Sequence, residues 1–107
     1  MLPKKNRVDK KGINLIFKKG SFITSPNFIF KYLKMNSGGK RVSFIAPKNI
    51  AKLAVKRNFL RRKGYYVLKK YIYQFPPGIL GVFVFKKYQD NILIIENEIK
   101  NILGKIN

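Results

Sequence analysis

Ile79-Leu-Gly-Val-Phe-Val-Phe85 is apolar at nearly every position, which suggests a strand buried on both faces. Upstream, Phe75-Pro-Pro-Gly78 stops any helix that reaches it. Downstream, Asp90 is expected to cap a last helix whose Ile92, Ile95, Ile99, Ile102 and Ile106 form a buried stripe. A longer helix is expected before the strand, from Ala54 to about Tyr73. Its apolar side divides into one line of Val55, Phe59 and Tyr66 and another of Leu60, Val67 and Tyr71, with Lys56, Lys63 and Lys70 snorkelling between them. Gly64 in its middle costs roughly 1 kcal/mol relative to Ala and suggests a bend.

The first half of the chain alternates. Phe28, Phe30 and Tyr32 share one face of a strand, opposed by Ile29, Lys31 and Leu33. In a second strand Val42 and Phe44 oppose Arg41, Ser43 and Ile45. Between the two, Asn36-Ser-Gly-Gly39 reads as a hairpin connection. Phe22 and Ile23 suggest a short strand. Asp9 is placed to cap a first helix that ends near Gly20, with Ile13, Ile16 and Phe17 on one face. Residues 1–8 are basic and read as irregular. The order is helix, three strands, helix, strand, helix. That is a single α+β domain over residues 1–107, an αβββαβα sandwich of one small mixed sheet with helices packed on it.

Composition narrows the function. Lys and Arg number 24 against 4 Asp and Glu, a net charge of +20 that opposes compaction and calls for a polyanionic partner. Yet 46% of residues are hydrophobic and 14% aromatic, which argues against a disordered basic tail. No apolar run approaches the roughly 20 residues of a membrane-spanning helix. Nor does Met1-Leu-Pro-Lys-Lys-Asn-Arg7 continue into the apolar stretch of a secretion signal, so a cytoplasmic location is expected. With no His and no Cys, zinc sites and the usual nucleophile–base pairs are excluded. The acids are Asp9, Asp90, Glu96 and Glu98, and the last two, two positions apart on a helix, point in different directions. No Gly-rich phosphate loop occurs. The polypeptide alone is not expected to be catalytic or to hold a metal.

The charge is most organised in Ala54-Val-Lys-Arg-Asn-Phe-Leu-Arg-Arg62. On a helix, Arg57, Asn58, Arg61 and Arg62 fall on one arc, which Lys69 joins two turns later. Arg57 and Arg61 are one turn apart, a like-charge pairing that costs stability unless an anion neutralises it. The guanidinium fork matches phosphate oxygens in a way lysine does not. A solvated helix face explains most charge runs, but this arc reads better as a patch for phosphate.

Two stretches together resemble the bacterial ribonuclease P protein subunit. Leu2-Pro-Lys-Lys-Asn-Arg7 with Phe17-Lys-Lys-Gly20 is similar to that family's start. Arg41-Val-Ser-Phe-Ile-Ala-Pro-Lys48 with the arginine nonapeptide is similar to its central signature, in which a Ser-Lys-Lys turn leads into a helix bearing Arg-Asn-Arg and Lys-Arg. The resemblance implies a left-handed crossover joining that helix to the sheet, against the usual rule for parallel strands. It also implies a catalytic RNA partner that, with Mg²⁺, removes the 5′ leader from precursor tRNA while the protein positions the substrate. Arg57 and Asn58 carry over as the first signature residues, Arg61 and Arg62 as its Lys-Arg, Lys48 as a turn lysine, and Arg7 as a position near the first helix. Phe59 departs from the signature's third residue, an arginine. Pro47 and Asn49 replace a Ser and a Lys of the turn, and Ile13 stands where an aromatic is common.

Two RNA surfaces follow. Arg7, Lys48, Lys52, Lys56, Arg57, Asn58, Arg61, Arg62 and Lys69 are candidates for the catalytic RNA. Phe17, Ile29, Lys31, Ile45 and Lys48 are candidates to line a leader cleft, where stacking contributes about 1–3 kcal/mol per base with little sequence preference. Phe17 and Ile29 read equally well as ordinary core. Phe28, Phe30, Phe44, Phe83 and Phe85 are assigned to core, and Tyr65, Tyr66, Tyr71 and Tyr73 to bracing helix packing. Neither DNA nor a membrane is expected as partner, and the protein is expected to act as a monomer within its complex. The alternative function is a small basic ribosomal protein.

Overall fold

In a computed structural model, which describes residues 3–36 and 38–106, the chain forms three helices on a four-stranded sheet. Met1, Leu2, Ser37 and Asn107, of which Leu2 opens the family-like start and Ser37 belongs to the expected hairpin connection, lie outside the described residues. The elements are α1 (Lys10–Lys19), β1 (Ser21–Thr24), β2 (Phe28–Lys34), β3 (Arg41–Ile45), α2 (Ala54–Tyr71), β4 (Ile79–Phe85) and α3 (Ile92–Ile106). Short 3-10 turns occupy Lys4–Asn6, in a segment expected to be irregular, and Ile72–Gln74, which takes over where α2 stops.

The sheet runs in the order β1-β2-β4-β3, antiparallel except for β3 beside β4. The expected β2–β3 hairpin is therefore absent: β4 lies between those strands. An all-apolar strand can seal both faces only at the centre of a layered sheet, and alternation in β2 and β3 carries no information about their neighbour. The end of β2 is tied instead to the start of β4, where Met35 N–H donates to the Gly78 carbonyl at 2.8 Å. Gly78 turns there with φ +77°, a conformation that L side chains rarely adopt.

One face of the sheet carries Phe28, Phe30, Phe44, Phe83 and Phe85, buried beneath α2 and α3 as expected. Phe30, Phe83 and Phe44 occupy one rung across β2, β4 and β3, with ring centroids 4.4 Å and 5.0 Å apart. On the other face α1 brings Ile16 and the preceding Val8 onto Val82, a much smaller cluster.

The caps show where local signals held. Asp9 accepts from Gly12 N–H at 2.8 Å and starts α1, which ends at Gly20. The cap of α3 is Asn91 rather than Asp90. Its Oδ1 accepts from Leu93 and Ile94 N–H at 3.0 and 3.2 Å, as an Asn directly before the helix can. In α3 Leu103 and Glu98 are buried with the isoleucines, while Ile92 is only half-buried.

The expected apolar side of α2 needs a larger correction. Leu60, Gly64, Tyr65, Val67 and Leu68 face the core. Val55, Phe59 and Tyr66 are exposed, as is Tyr73 beyond the helix end, so of the four bracing tyrosines Tyr66 and Tyr73 do not serve in that way. Apolar residues surround this helix, so periodicity offers two lines, and a helix seated on one sheet and one neighbour buries only one of them. Gly64 belongs to that buried line. A Cβ there would lie 2.7 Å from the Phe44 ring, so close packing explains this glycine better than a bend.

Candidate nucleic-acid interface

The arginine arc begins at a turn. Pro47 accepts backbone bonds from Ile50 and Ala51, and α2 starts after it without a side-chain cap. Arg57 braces that turn from within the helix: its Nη1 donates to the Ala51 and Lys52 carbonyls at 3.0 and 2.7 Å. Arg57 is thus half-buried and holds the turn in place, whereas Asn58, Arg61 and Arg62 are exposed. Arg61 Nη2 donates to Asn58 Oδ1, which fixes the two side chains together. Lys48, Lys52, Lys56 and Lys69 are also exposed.

Folding adds Arg7 to this group. The N-terminal segment is strapped along the outer edge of β3, where Asn6 Nδ2 donates to the Lys40 carbonyl at 3.1 Å and Val8 N–H to Ser43 Oγ at 2.8 Å. Tyr65 Oη accepts from Phe44 N–H at 3.1 Å on the same edge, so edge groups that would otherwise invite another strand are covered. The result is a depression of about 320 Å³ lined by Arg7, Asn58, Arg61, Arg62, Tyr65 and Phe44. A neighbouring hollow of about 400 Å³ continues from Arg7 and Arg61 to Ile45 and Ile13. Tyr65, one turn from Arg61, was legible from that spacing but not singled out for this surface.

The proposed cleft residues fall on the α1 side of the sheet. Ile29 and Ile45 lie on one rung with Val84 between them, all three half-buried. Lys31 is on the adjacent rung opposite Phe22, and its Nζ sits 4.7 Å from the centre of the Phe17 ring. Phe17 is 45% exposed and Phe22 66%, so neither is ordinary core. Lys48 is exposed in the turn after β3. Val84 and Phe22 share this side of the sheet with them, which the sequence did not reveal: the first hides in an all-apolar run, the second in a strand too short to show alternation.

Of the chain's acids, Asp9, Glu96 and Glu98 serve the fold. Glu98, 5% exposed, accepts from Ser25 Oγ at 2.5 Å, Asn27 N–H at 2.7 Å and Asn27 Nδ2 at 2.5 Å, tying the β1–β2 turn to α3. Glu96 accepts from Tyr71 Oη at 2.8 Å between α3 and α2. That hydrogen bond, then desolvation and the Glu96 charge, push the Tyr71 hydroxyl above its ordinary pKa. Among the described residues no group of three or more His, Cys, Asp or Glu side chains can hold a metal ion, and no helix is long and apolar enough to cross a membrane.

The sequence profile of a family described as Ribonuclease P matches residues 2–107. The fold is similar to that of the RNase P protein from Thermotoga maritima, with a TM-score of 0.82 at 19% identity over 94% of this chain and 97% of that one. It is likewise similar to the Staphylococcus aureus RNase P protein, with a TM-score of 0.80 at 18% identity over 97% of this chain and 100% of that one. No match is found among curated protein sequences.

Proposed function

Because the chain belongs to the ribonuclease P protein family and serves as a protein subunit of that enzyme, we propose a division of its surface between two RNAs. The basic groove between the N-terminal segment and α2 holds the catalytic RNA. The open rungs of the sheet beside α1 take the 5′ leader of precursor tRNA. The polypeptide itself is noncatalytic and works in the cytoplasm. The oxygen ligands that Mg²⁺ requires come from RNA, as the lack of a carboxylate cluster among the described residues supports.

One observation carries this reading. Arg7 and the Asn58-Arg61-Arg62 set, from opposite halves of the chain, line one depression. Three of the four acids are meanwhile engaged in capping or tying elements. Phosphates suit such converging guanidinium groups, and their binding releases counterions from the RNA. Lys48, Lys52, Lys56 and Lys69 add charge around the groove, and Arg57 orients its helix. The family match leaves the ribosomal alternative without support.

Reconstitution with the catalytic RNA tests the reading: at low Mg²⁺ the protein should restore cleavage of precursor tRNA, and no gain over RNA alone would refute it. Arg61→Ala with Arg62→Ala should flatten the salt dependence of catalytic-RNA affinity by about one to two units of slope. Those two are better probes than Arg57, whose removal also frees the turn carbonyls. For the leader path, Lys48→Ala should weaken binding of leader-bearing substrate more than of mature tRNA. Equal loss on both would place Lys48 elsewhere.

A further inference from the structure

The outer side of α2 carries a second, differently built surface. Phe59, Tyr66 and Tyr73 follow one another at intervals of seven residues and are 38%, 59% and 74% exposed. Lys63 Nζ stands 5.1 Å from the centre of the Phe59 ring, and Lys70 Nζ 5.3 Å from that of Tyr66. Two hollows join these rungs. One of about 450 Å³ is lined by Phe59, Arg62, Lys63, Tyr66 and Ile92, the other of about 650 Å³ by Arg62, Tyr66, Lys69, Lys70 and Tyr73. Arg62 and Tyr66 line both, so the trough is continuous, and no acidic side chain lines either hollow.

We propose that this trough binds single-stranded RNA through unpaired bases stacked on Phe59, Tyr66 and Tyr73, with the phosphodiester held by the interleaved Lys63, Lys70 and Arg62. The Phe59 and Tyr66 rungs each join an aromatic face to a cation about 5 Å away, the combination that sequence-tolerant single-strand sites use. A partner protein's apolar face would meet a cation between every pair of rings, whereas a polynucleotide alternates base and phosphate in the same way. Phe59 and Tyr66, seven residues apart on α2, are about 10 Å apart, roughly three times the 3.4 Å advance of a stacked strand, and Tyr73 in the 3-10 turn that follows extends the row by a similar step. The three platforms therefore span about seven nucleotides. This inference rests on reading α2 as an RNA-bearing helix, and adds that its outer side takes unpaired nucleotides while the groove takes phosphates of folded RNA.

The test uses the full chain without its catalytic RNA. Affinity is measured for a fluorescent ten-nucleotide oligouridine and for an RNA duplex of equal charge. Tyr66→Ala with Tyr73→Ala should weaken oligouridine binding about 5- to 150-fold per platform. Duplex binding should change by less than twofold, and Tyr66→Phe with Tyr73→Phe should retain the parent affinity. Both tyrosines are well exposed, and unchanged thermal unfolding of the variants confirms an intact fold. Equal losses on single strand and duplex would reduce the trough to a charged surface, and no loss on either would remove it altogether; both overturn the proposal. Loss of oligouridine binding in the phenylalanine variant would do the same, because stacking does not need the hydroxyl. Reconstitution of precursor-tRNA cleavage is measured separately, so failure here leaves the subunit assignment standing, and failure there leaves the oligouridine result interpretable.

Discussion

Each face of the sheet carries phenylalanine, and the two faces use it for opposite ends. Beneath α2 and α3, Phe28, Phe30, Phe44, Phe83 and Phe85 pack edge-on, tilted or stacked upon one another and exclude water completely or nearly so. Beside α1, Phe22 and Phe17 remain in solvent next to Lys31, and among the described apolar residues the sealed cluster is Val8, Ile16 and Val82. A chain with +20 charge keeps its fold by concentrating apolar burial on one side. The other side leaves aromatic rings and a lysine in solvent together, as the proposed leader path requires. On the sheet itself, the sealed aromatic core and the open aromatic surface are thereby separated by the thickness of a single layer.

Substitutions of equal size test that separation. Phe83→Ala removes a ring at the centre of the aromatic rung and should lower unfolding free energy by about 3–5 kcal/mol in denaturant titration. Phe22→Ala on the opposite face should stay within about 0.5 kcal/mol of the parent. Comparable losses at both would show that the two faces are not distinct. Next in size, Gly64→Ala sets helix propensity against packing: propensity favours alanine by about 1 kcal/mol, while forcing a methyl against the Phe44 ring costs about 1–3 kcal/mol. A net loss is expected, and a more stable variant would mean that Phe44 can move aside.

The smallest effect concerns pH. The Tyr71 hydroxyl, donated to Glu96, has its pKa raised in the folded state, so its contribution is complete below the ordinary tyrosine value of about 10. As pH rises through the folded pKa the proton is lost from both states, and the contribution goes with it. The parent should therefore be more stable than Tyr71→Phe near neutrality, and the gap should close on the alkaline side. Using the difference between the two proteins cancels the relief of repulsion that comes as lysines lose charge. A gap that stays constant to the highest pH would show that the Tyr71–Glu96 bond contributes nothing.

Much of the candidate site was legible residue by residue. Arg61 and Arg62 are exposed on the expected arc because helical periodicity alone fixes their relative direction. Arg57 shares the arc and still bonds back to Ala51 and Lys52, because the turn before α2 presents its carbonyls within reach of that guanidinium. Ile29 and Ile45 share a rung only because β4 inserts between their strands.

By itself the sequence determined which segments are helix or strand, their order, the five core phenylalanines of the strands and the excess of positive charge. Each of these follows from spacing within a few residues or from simple counting. Only the tertiary structure decided that β4 separates β2 from β3, that Leu60 and Val67 rather than Phe59 and Tyr66 enter the core, and that Arg7 joins Arg61. Those outcomes are settled by which surfaces bury most apolar area together, a comparison among distant segments that no local pattern encodes.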